Sequence, residues 1–265
     1  MIALQNQYVT AFFGLIFRDF YVYRSRIPRL IASYSIVYPV LYGLCFGYLL
    51  AGVSNSNQAP NVFFVGTILY ALFSLTFSLN FEFLFDFESN RTIEYQLQLL
   101  PARLLLFQKM LVQTIIATII MLPFFPLLTT IFSSVFPADP IQWGWVTFLT
   151  ILACMLCVSL NVLMACAVAH AHQTRIFWRR VNFPLIMLGG FLTPYSAMRH
   201  VFPRIAPLAL INPILAVTEG LRDSIVGAPV GTFVPAWICT IILLVWICGC
   251  FAGACYFFKR KVDHV

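Results

Sequence analysis

Long apolar stretches recur along the chain and are separated by short polar segments that carry most of the charge. A helix that crosses the hydrocarbon core of a bilayer needs about 20 predominantly apolar residues. Six stretches meet this requirement, so we predict six transmembrane helices, at residues 30–50, 62–84, 104–132, 143–169, 181–202 and 235–258. Pro194 interrupts the fifth of them.

The residues before the first predicted span have a mixed character. Residues 8–26 read YVTAFFGLIFRDFYVYRSR and combine large aromatic side chains with arginines and an aspartate. This composition favours an amphipathic helix that lies flat in the membrane interface, and we assign residues 8–29 to it. The alternative is an irregular start of the first span.

A second unusual stretch, residues 193–231, precedes the last predicted span. It is mostly apolar but is divided by Pro194, Pro203, Pro207 and Pro213. Each proline removes a backbone donor and bends or ends a helix. Short broken helices at membrane depth are tolerated only where protein or a cavity surrounds them. We therefore predict a re-entrant helical hairpin on the extracellular side, with an ordinary extracellular loop as the alternative.

The overall composition agrees with this pattern. Of the 265 residues, 61% are hydrophobic and 9% are charged, whereas soluble domains carry about 25% charged residues. A soluble fold of this size could not hide so much apolar surface. We therefore predict an all-α integral membrane protein that forms one transmembrane domain, residues 1–265.

The positive charges indicate the orientation in the membrane. Thirteen of the sixteen lysines and arginines lie on the side of the predicted bundle that carries both termini. The remaining three are Arg199, Arg204 and Arg222. Cytoplasmic loops are enriched in these residues, so both termini are predicted to be cytoplasmic. The cations stand in short clusters between apolar runs, so the net charge of +7 does not indicate a nucleic-acid partner.

Few residues are candidates for chemistry. The sequence contains no HExxH, GxSxG or glycine-rich phosphate loop, so we expect no catalytic residue, metal site or cofactor on this chain. Glu82 and Asp86 are the carboxylates nearest to the membrane interior, where carboxylates are costly and commonly functional. They leave a proton-coupled secondary carrier, or a membrane enzyme, as an alternative function.

The polar stretch ESNRTIEYQLQLLPARLLLFQK, residues 88–109, lies between the second and third predicted spans. Ile93, Leu97 and Leu100 are spaced as on one face of a helix, and Pro101 marks a break after them. A short amphipathic helix held between two spans can dock into a groove on a soluble partner. A solvated loop that happens to be helical is the alternative.

This stretch resembles the cytoplasmic loop of ABC type-2 transporter permeases. That loop has a Glu and an Arg, a Thr-x-Glu step, two leucines, a proline and a following lysine. The matching residues are Glu88, Arg91, Thr92, Glu94, Leu99, Leu100, Pro101 and Lys109. The glycine that precedes the Thr-x-Glu step in the family is absent, and the spacing to the leucines differs slightly. The resemblance implies an ATPase-coupling region at residues 85–103, comprising Glu88, Arg91, Thr92, Glu94, Leu97, Leu100 and Pro101.

The stretch FLTPYSAMRHVFPRIAPLALINPILAVTEGLRDSIVG is similar to the extracellular re-entrant region of the same family. The residues singled out by this similarity are Pro194, Asn212, Pro213, Gly220 and Arg222. The layout of the whole chain also resembles the family, from the flat first helix to the re-entrant pair before the last span.

The resemblance implies a transport subunit of the bacterial inner membrane. Such permeases pair as homodimers within membrane lipid and bind separate P-loop ATPase subunits, which carry the ATP and Mg²⁺. Relatives export polysaccharides, teichoic acid chains, lipid-linked oligosaccharides, drugs or lipids. Aromatic residues make up 16% of the chain and can stack on sugars, which favours a glycan or glycolipid. A lipid or a hydrophobic drug is the alternative cargo.

Overall fold

The computed structural model describes residues 2–42, 44–45, 59–88, 92–131, 141–168, 171–191, 194–204, 206–226 and 233–263. Within these ranges all regular secondary structure is helical, which confirms the predicted all-α fold.

Long and short helices both occur along the chain. In order they are α1 (Ile2–Arg24), α2 (consecutive pieces Ile27–Leu30, Ile31–Val37 and Tyr38–Tyr42), α3 (Ala59–Glu88), α4 (Thr92–Leu99), α5 (Ala102–Met121), α6 (Phe124–Ile131), α7 (Trp143–Ala167), α8 (consecutive pieces Ala171–Phe177, Trp178–Asn182, Phe183–Ile186 and Met187–Phe191), α9 (Tyr195–Val201), α10 (Ala206–Ala209), α11 (Pro213–Val226) and α12 (Ala236–Asp263).

Four helical segments in the described part of the chain are long and apolar enough to cross a membrane. They are Val65–Phe87, Ala102–Leu127, Trp143–Ala167 and Ala236–Val262, and they match the second, third, fourth and sixth predicted spans. The first predicted span extends to residues 46–50, which lie outside the described residues. Its described part contains a shorter apolar helix, Ile27–Val37, so this span stays a prediction.

The fifth predicted span breaks at a different place from the one expected. We predicted an interruption at Pro194, but α8 loses helical geometry at Gly189 and at Gly190, which has φ +78°. Glycine adopts this left-handed conformation without a steric penalty. Pro194 instead precedes α9 and occupies its N-cap position. The glycine pair therefore ends α8, and the proline begins α9, while the fifth membrane span itself stays a prediction.

The bundle is assembled around α7. Within the most apolar part of α7, 78% of the residues are buried in the protein, whereas only 28% are buried in the corresponding part of α12. Helix α7 contacts α3, α5, α11 and α12, and its apolar side chains contribute to a core shared with all of them. The last helix therefore lies at the periphery and leaves much of its surface to other surroundings.

Polar side chains inside the bundle bond to one another. Asn80 on α3 donates from Nδ2 to the backbone carbonyl oxygen of Asn161 on α7, at 2.9 Å. Asn161 donates from its own Nδ2 to Thr76 Oγ1 at 3.0 Å and accepts from Asn182 Nδ2 on α8 at 3.4 Å. Interhelical hydrogen bonds of this kind hold membrane helices together. Asn161 thus links three helices.

The first helix has two distinct faces. Leu15, Asp19 and Tyr23 are buried, and α1 contacts α5. Phe17 and Tyr21 lie on the opposite face and are 74% and 76% exposed. The segment is thus a helix of its own, Ile2–Arg24, and its role as an amphipathic helix that lies flat in the membrane interface stays a prediction.

Gly66 provides a test of how α3 packs on α8. A Cβ atom at this position would lie 2.3 Å from the carbonyl oxygen of Phe191, a backbone atom that cannot rotate away. We expect Gly66→Ala to lower the free energy of unfolding by about 1–3 kcal/mol, the usual cost of overpacking. The measurement is thermal unfolding of the purified protein in detergent. Gly144→Ala is the matched control because no atom lies within 4 Å of its added Cβ, and equal shifts in both variants would contradict the packing.

Candidate functional site

Helix α4 connects two of the spanning helices. It begins at Thr92, shortly after α3 ends at Glu88, while Arg91 lies outside the described residues. Pro101 has φ −57° and ψ 143° and is the N-cap of α5, so the predicted break at this proline is confirmed. Its carbonyl oxygen accepts hydrogen bonds from the first turn of α5. The short helix is therefore fixed at both ends to long helices.

The apolar face of α4 points into the protein. Ile93 and Leu100 are buried and Leu97 is half-buried. They pack in a cluster, here called the α4 cluster, together with Phe83, Leu84, Leu105, Leu106 and Phe258. These partners belong to α3, α5 and α12. The face that the sequence pattern offered to a soluble partner is thus occupied by the chain itself.

A different set of side chains on α4 faces outward. Glu94 and Gln98 are exposed, and Tyr95 and Leu99 keep 68% and 51% of their surface accessible. We call these four residues the α4 outer surface. Glu94 lies in the first turn of α4, where a negative charge interacts favourably with the helix dipole.

A buried lysine on α5 joins α1 to the bundle through ion pairs. Lys109 on α5 lies 3.0 Å from Asp19 Oδ2 on α1 and 3.5 Å from Asp86 Oδ2 on α3. Gln108 also donates to Asp19 Oδ2, at 3.0 Å. The side chains of Lys109 and Asp19 are each only 8% exposed. We call Asp19, Asp86, Gln108 and Lys109 the α1 clasp.

The two carboxylates considered as proton carriers both have cationic partners. Asp86 belongs to the α1 clasp, and Glu82 is paired with Arg26 at the start of α2. A cavity of about 60 Å³ between them is lined by both carboxylates and by Tyr23. Burial, and next the charge of Asp19, raise the pKa of the Tyr23 phenol, so this ring stays neutral. Both carboxylates therefore link helices through ion pairs. Asp86 joins α3 to α5, and Glu82 joins α3 to the start of α2.

The described part of the segment predicted to be re-entrant is a series of short helices whose starts are set by proline and asparagine. Asn212 precedes α11, its Oδ1 accepts from the backbone N–H of Ile214 at 3.0 Å, and its Nδ2 donates to the Leu185 carbonyl at 2.8 Å. Pro213 is the first residue of α11, a position that suits proline. An asparagine at this place both caps α11 and attaches it to α8.

Arg222 is buried rather than exposed in an outer loop. It forms an ion pair with Glu219 on the same helix, with Nη1 and Oε1 2.9 Å apart and both side chains 0% exposed. Arg222 Nη2 also donates to the carbonyl oxygen of Gly190, and Glu219 Oε1 accepts from the backbone N–H of Tyr195 at 3.0 Å. The pair, here called the α11 staple, joins α11 to the break after α8 and to the start of α9.

Gly220 allows α11 to pack closely against two spanning helices. A Cβ at this position would lie 3.1 Å from Cys239 Cβ and 3.2 Å from a methyl group of Leu149. The predicted site residues therefore form two separate groups. Helix α4 packs on α3 and α5, whereas α11 packs on α3, α7, α8 and α12.

The family comparison covers both groups. The model of a family described as ABC-2 type transporter matches residues 10–226. The chain belongs to the ABC-2 type transporter family. This confirms the resemblance drawn from the coupling loop and the re-entrant segment, and it makes the chain an integral membrane permease component of an ABC transporter, a class that works with an ATPase partner. A search of the curated proteins gives no match to this chain.

In this ABC-2 permease, sequence reasoning missed several residues that hold the two groups in place. Glu219 and Asp19 were not singled out, although each becomes the partner of a buried cation. The spacing of Glu219 and Arg222 at i and i+3 within an otherwise apolar helix was a usable signal. Asp19 gave no such signal, because its partner lies 90 residues away in sequence.

A substitution of Lys109 tests the ion pairs of the α1 clasp. We expect Lys109→Met to lower the free energy of unfolding by about 3–5 kcal/mol, because it leaves two carboxylates without their buried cation. Thermal unfolding in detergent measures the change. Adding Asp19→Asn should restore part of the loss, whereas Arg29→Met, at an exposed cation, should have little effect. Additive losses from Lys109→Met and Asp19→Asn would contradict the pairing.

Arg222 tests the α11 staple in the same way. Arg222→Met leaves the buried Glu219 carboxylate unpaired, so we expect a large loss of monodisperse protein on gel filtration and a lower unfolding temperature. The double variant Glu219→Gln/Arg222→Met removes both charges and should be more stable than the single variant. A double variant that is less stable than Arg222→Met would show that the two side chains act independently.

Proposed function

We propose that this permease is the transmembrane subunit of an ATP-driven exporter in the bacterial inner membrane. Two copies form the transport path within the lipid, and separate P-loop ATPase subunits bind and hydrolyse Mg²⁺-ATP. Both termini are cytoplasmic. The positive charges support this orientation, since thirteen of sixteen lie on the side of the termini. The pairing of two copies and the outward direction of transport are inferred from what is usual in the family.

The α4 outer surface is the proposed contact with the ATPase. The observation that carries this proposal is the two-sided packing of α4, in which Ile93 and Leu100 are buried while Tyr95 and Leu99 are exposed. An exposed aromatic next to an exposed leucine, flanked by polar side chains, is suited to a groove on a soluble protein. Because the α4 cluster includes residues of α3, α5 and α12, a displacement of α4 is passed directly to three helices.

Helix α1 is proposed to touch the same ATPase subunit. The α1 clasp joins Asp19 on α1 to Lys109 on α5. A push on α1 therefore acts on the helix that follows α4. In this arrangement both contacts of the ATPase lead to α5, and nucleotide-dependent closure biases the permease between two states.

The cargo is proposed to be a glycan or glycolipid, with other lipids or hydrophobic drugs as alternatives. A cavity of about 620 Å³ lies where α9 meets the start of α12. Its polar lining includes Tyr195, Ser196, Arg199 and His200, and its apolar lining includes Leu210, Pro235 and Ile238. A cavity with one polar and one apolar side suits an amphiphile, and Tyr195 offers a ring on which a sugar can stack.

The double variant Tyr95→Ala/Leu99→Ala tests the ATPase contact. Removing a central aromatic and its apolar neighbour should weaken association by about tenfold or more, because such residues dominate binding energy at interfaces. Copurification of a P-loop ATPase, identified by mass spectrometry, and ATP hydrolysis by the complex measure the effect. Leu97 is unsuitable for this purpose because it packs against the α4 cluster.

The control for this experiment is Phe202→Ala, which removes an aromatic side chain that is 60% exposed and lies just beyond α9. We expect this variant to bind the ATPase as the wild type does. Unchanged association and unchanged ATP hydrolysis in Tyr95→Ala/Leu99→Ala would show that α4 is not the ATPase contact.

A further inference from the structure

A large cavity lies outside both groups of site residues, between the first turn of α5 and the last turns of α12. Its volume is about 780 Å³, within the range of ligand sites in proteins. The lining includes three cations, Arg103, Lys259 and Arg260, and an apolar part formed by Phe251, Ala252 and Tyr256. None of the described residues that line it is acidic.

The cations of this cavity differ from several other basic residues of the protein. Lys109, Arg26 and Arg222 each face a carboxylate. Lys261, although it lies in the same tail, turns inward and donates to the Val168 carbonyl at 3.1 Å. Arg103, Lys259 and Arg260, in contrast, are exposed and form no ion pair with any described residue. Three exposed cations therefore converge on one cavity, without a carboxylate partner among the side chains that the structure describes.

The position of the cavity indicates the environment of its ligand. Lys259 and Arg260 lie in the last turn of a spanning segment, Ala236–Val262, at the depth of lipid head groups. Only 28% of the spanning window of α12 is buried in the protein, so the apolar wall continues onto a surface left open to lipid. Tyr256, which is 63% exposed, has the character of an interfacial aromatic anchor.

A second source of positive potential is the start of α5. This helix has 20 residues, and Arg103 lies in its first turn. The unpaired N–H groups at a helix N-terminus favour anions, above all phosphate. The dipole of α5 and the three side chains act in the same direction, whereas the C-terminal end of α12 contributes a potential of the opposite sign.

We propose that this cavity binds the phosphate head group of an anionic phospholipid. The phosphate lies among Arg103, Lys259 and Arg260, and one acyl chain runs along Phe251 and Ala252. Basic pockets between helices near the membrane surface are suited to anionic lipids. The apolar wall favours a lipid over free phosphate, and its continuity with a membrane-facing helix favours a lipid over an acidic protein segment. The proposal rests on membership of the membrane family and is independent of the cargo.

A lipid at this place would connect two parts of the coupling machinery. Arg103 lies directly after α4 and Pro101, whereas Lys259 and Arg260 belong to the helix that contributes Phe258 to the α4 cluster. A phosphate shared by these cations holds the start of α5 against the end of α12. Anionic lipid should therefore raise the unfolding temperature of the permease as well as bind to it.

The test is native mass spectrometry of the full chain in detergent, titrated with phosphatidylglycerol or with phosphatidylcholine. We expect one phosphatidylglycerol per chain to be retained in preference to phosphatidylcholine. The variant Arg103→Gln/Lys259→Gln/Arg260→Gln should bind phosphatidylglycerol about tenfold or more weakly, since each cation near an anionic surface contributes to the attraction. The rise in unfolding temperature with phosphatidylglycerol should disappear in the same variant.

The matched control is Arg24→Gln/Arg179→Gln/Arg180→Gln, which removes three exposed cations from the same predicted side of the membrane. This control should keep the wild-type preference. An equal loss in the control, or no preference for phosphatidylglycerol in the wild type, would overturn the proposal. Displacement of the lipid by millimolar inorganic phosphate would identify a general anion site. If Arg103→Gln/Lys259→Gln/Arg260→Gln loses ATPase copurification but still binds phosphatidylglycerol, the cavity is instead a docking surface for an acidic protein segment.

Discussion

Hydrocarbon offers no hydrogen-bond partner, so a polar group that this permease buries is costly unless another part of the protein bonds to it. The α11 staple shows the consequence, because Arg222 takes a carboxylate from its own helix and a carbonyl from Gly190. Asn161 serves the middle of the bundle in the same way. These polar contacts set which helices can be neighbours, and the apolar side chains fill the space between them.

The same constraint explains how motion can pass through the molecule. Breaking a buried ion pair is costly, so helices joined by one move together. Asp19 and Lys109 join α1 to α5, and the α4 cluster joins α4 to the ends of α3, α5 and α12. At the other end, α11 is attached to α8 through Gly190 and through Asn212. An ATPase bound at the proposed α4 contact would therefore act on a connected set of helices.

Much of the fold follows from local pattern. Apolar length predicted the four spanning segments found in the described chain, and Pro101 predicted the break before α5. Helix α4 shows where local pattern fails. Ile93, Leu97 and Leu100 form an apolar face whether their partner is another protein or the same chain, and only the positions of α3, α5 and α12 show that it is the same chain. In a similar way, the sequence placed the break of the fifth predicted span at Pro194, whereas in the structure the helical geometry is lost at Gly190.

The sequence by itself determined that this protein lies in a membrane and is helical, and it gave the predicted orientation and the family. It could do so because length, composition and charge bias are properties of single segments. The tertiary structure decided which charges are compensated. Asp19 meets Lys109 across 90 residues of sequence, and Arg103 lines one cavity with Lys259 and Arg260 although they lie far apart in sequence. Charge interactions depend on distance in space, and that distance is set only when the helices pack.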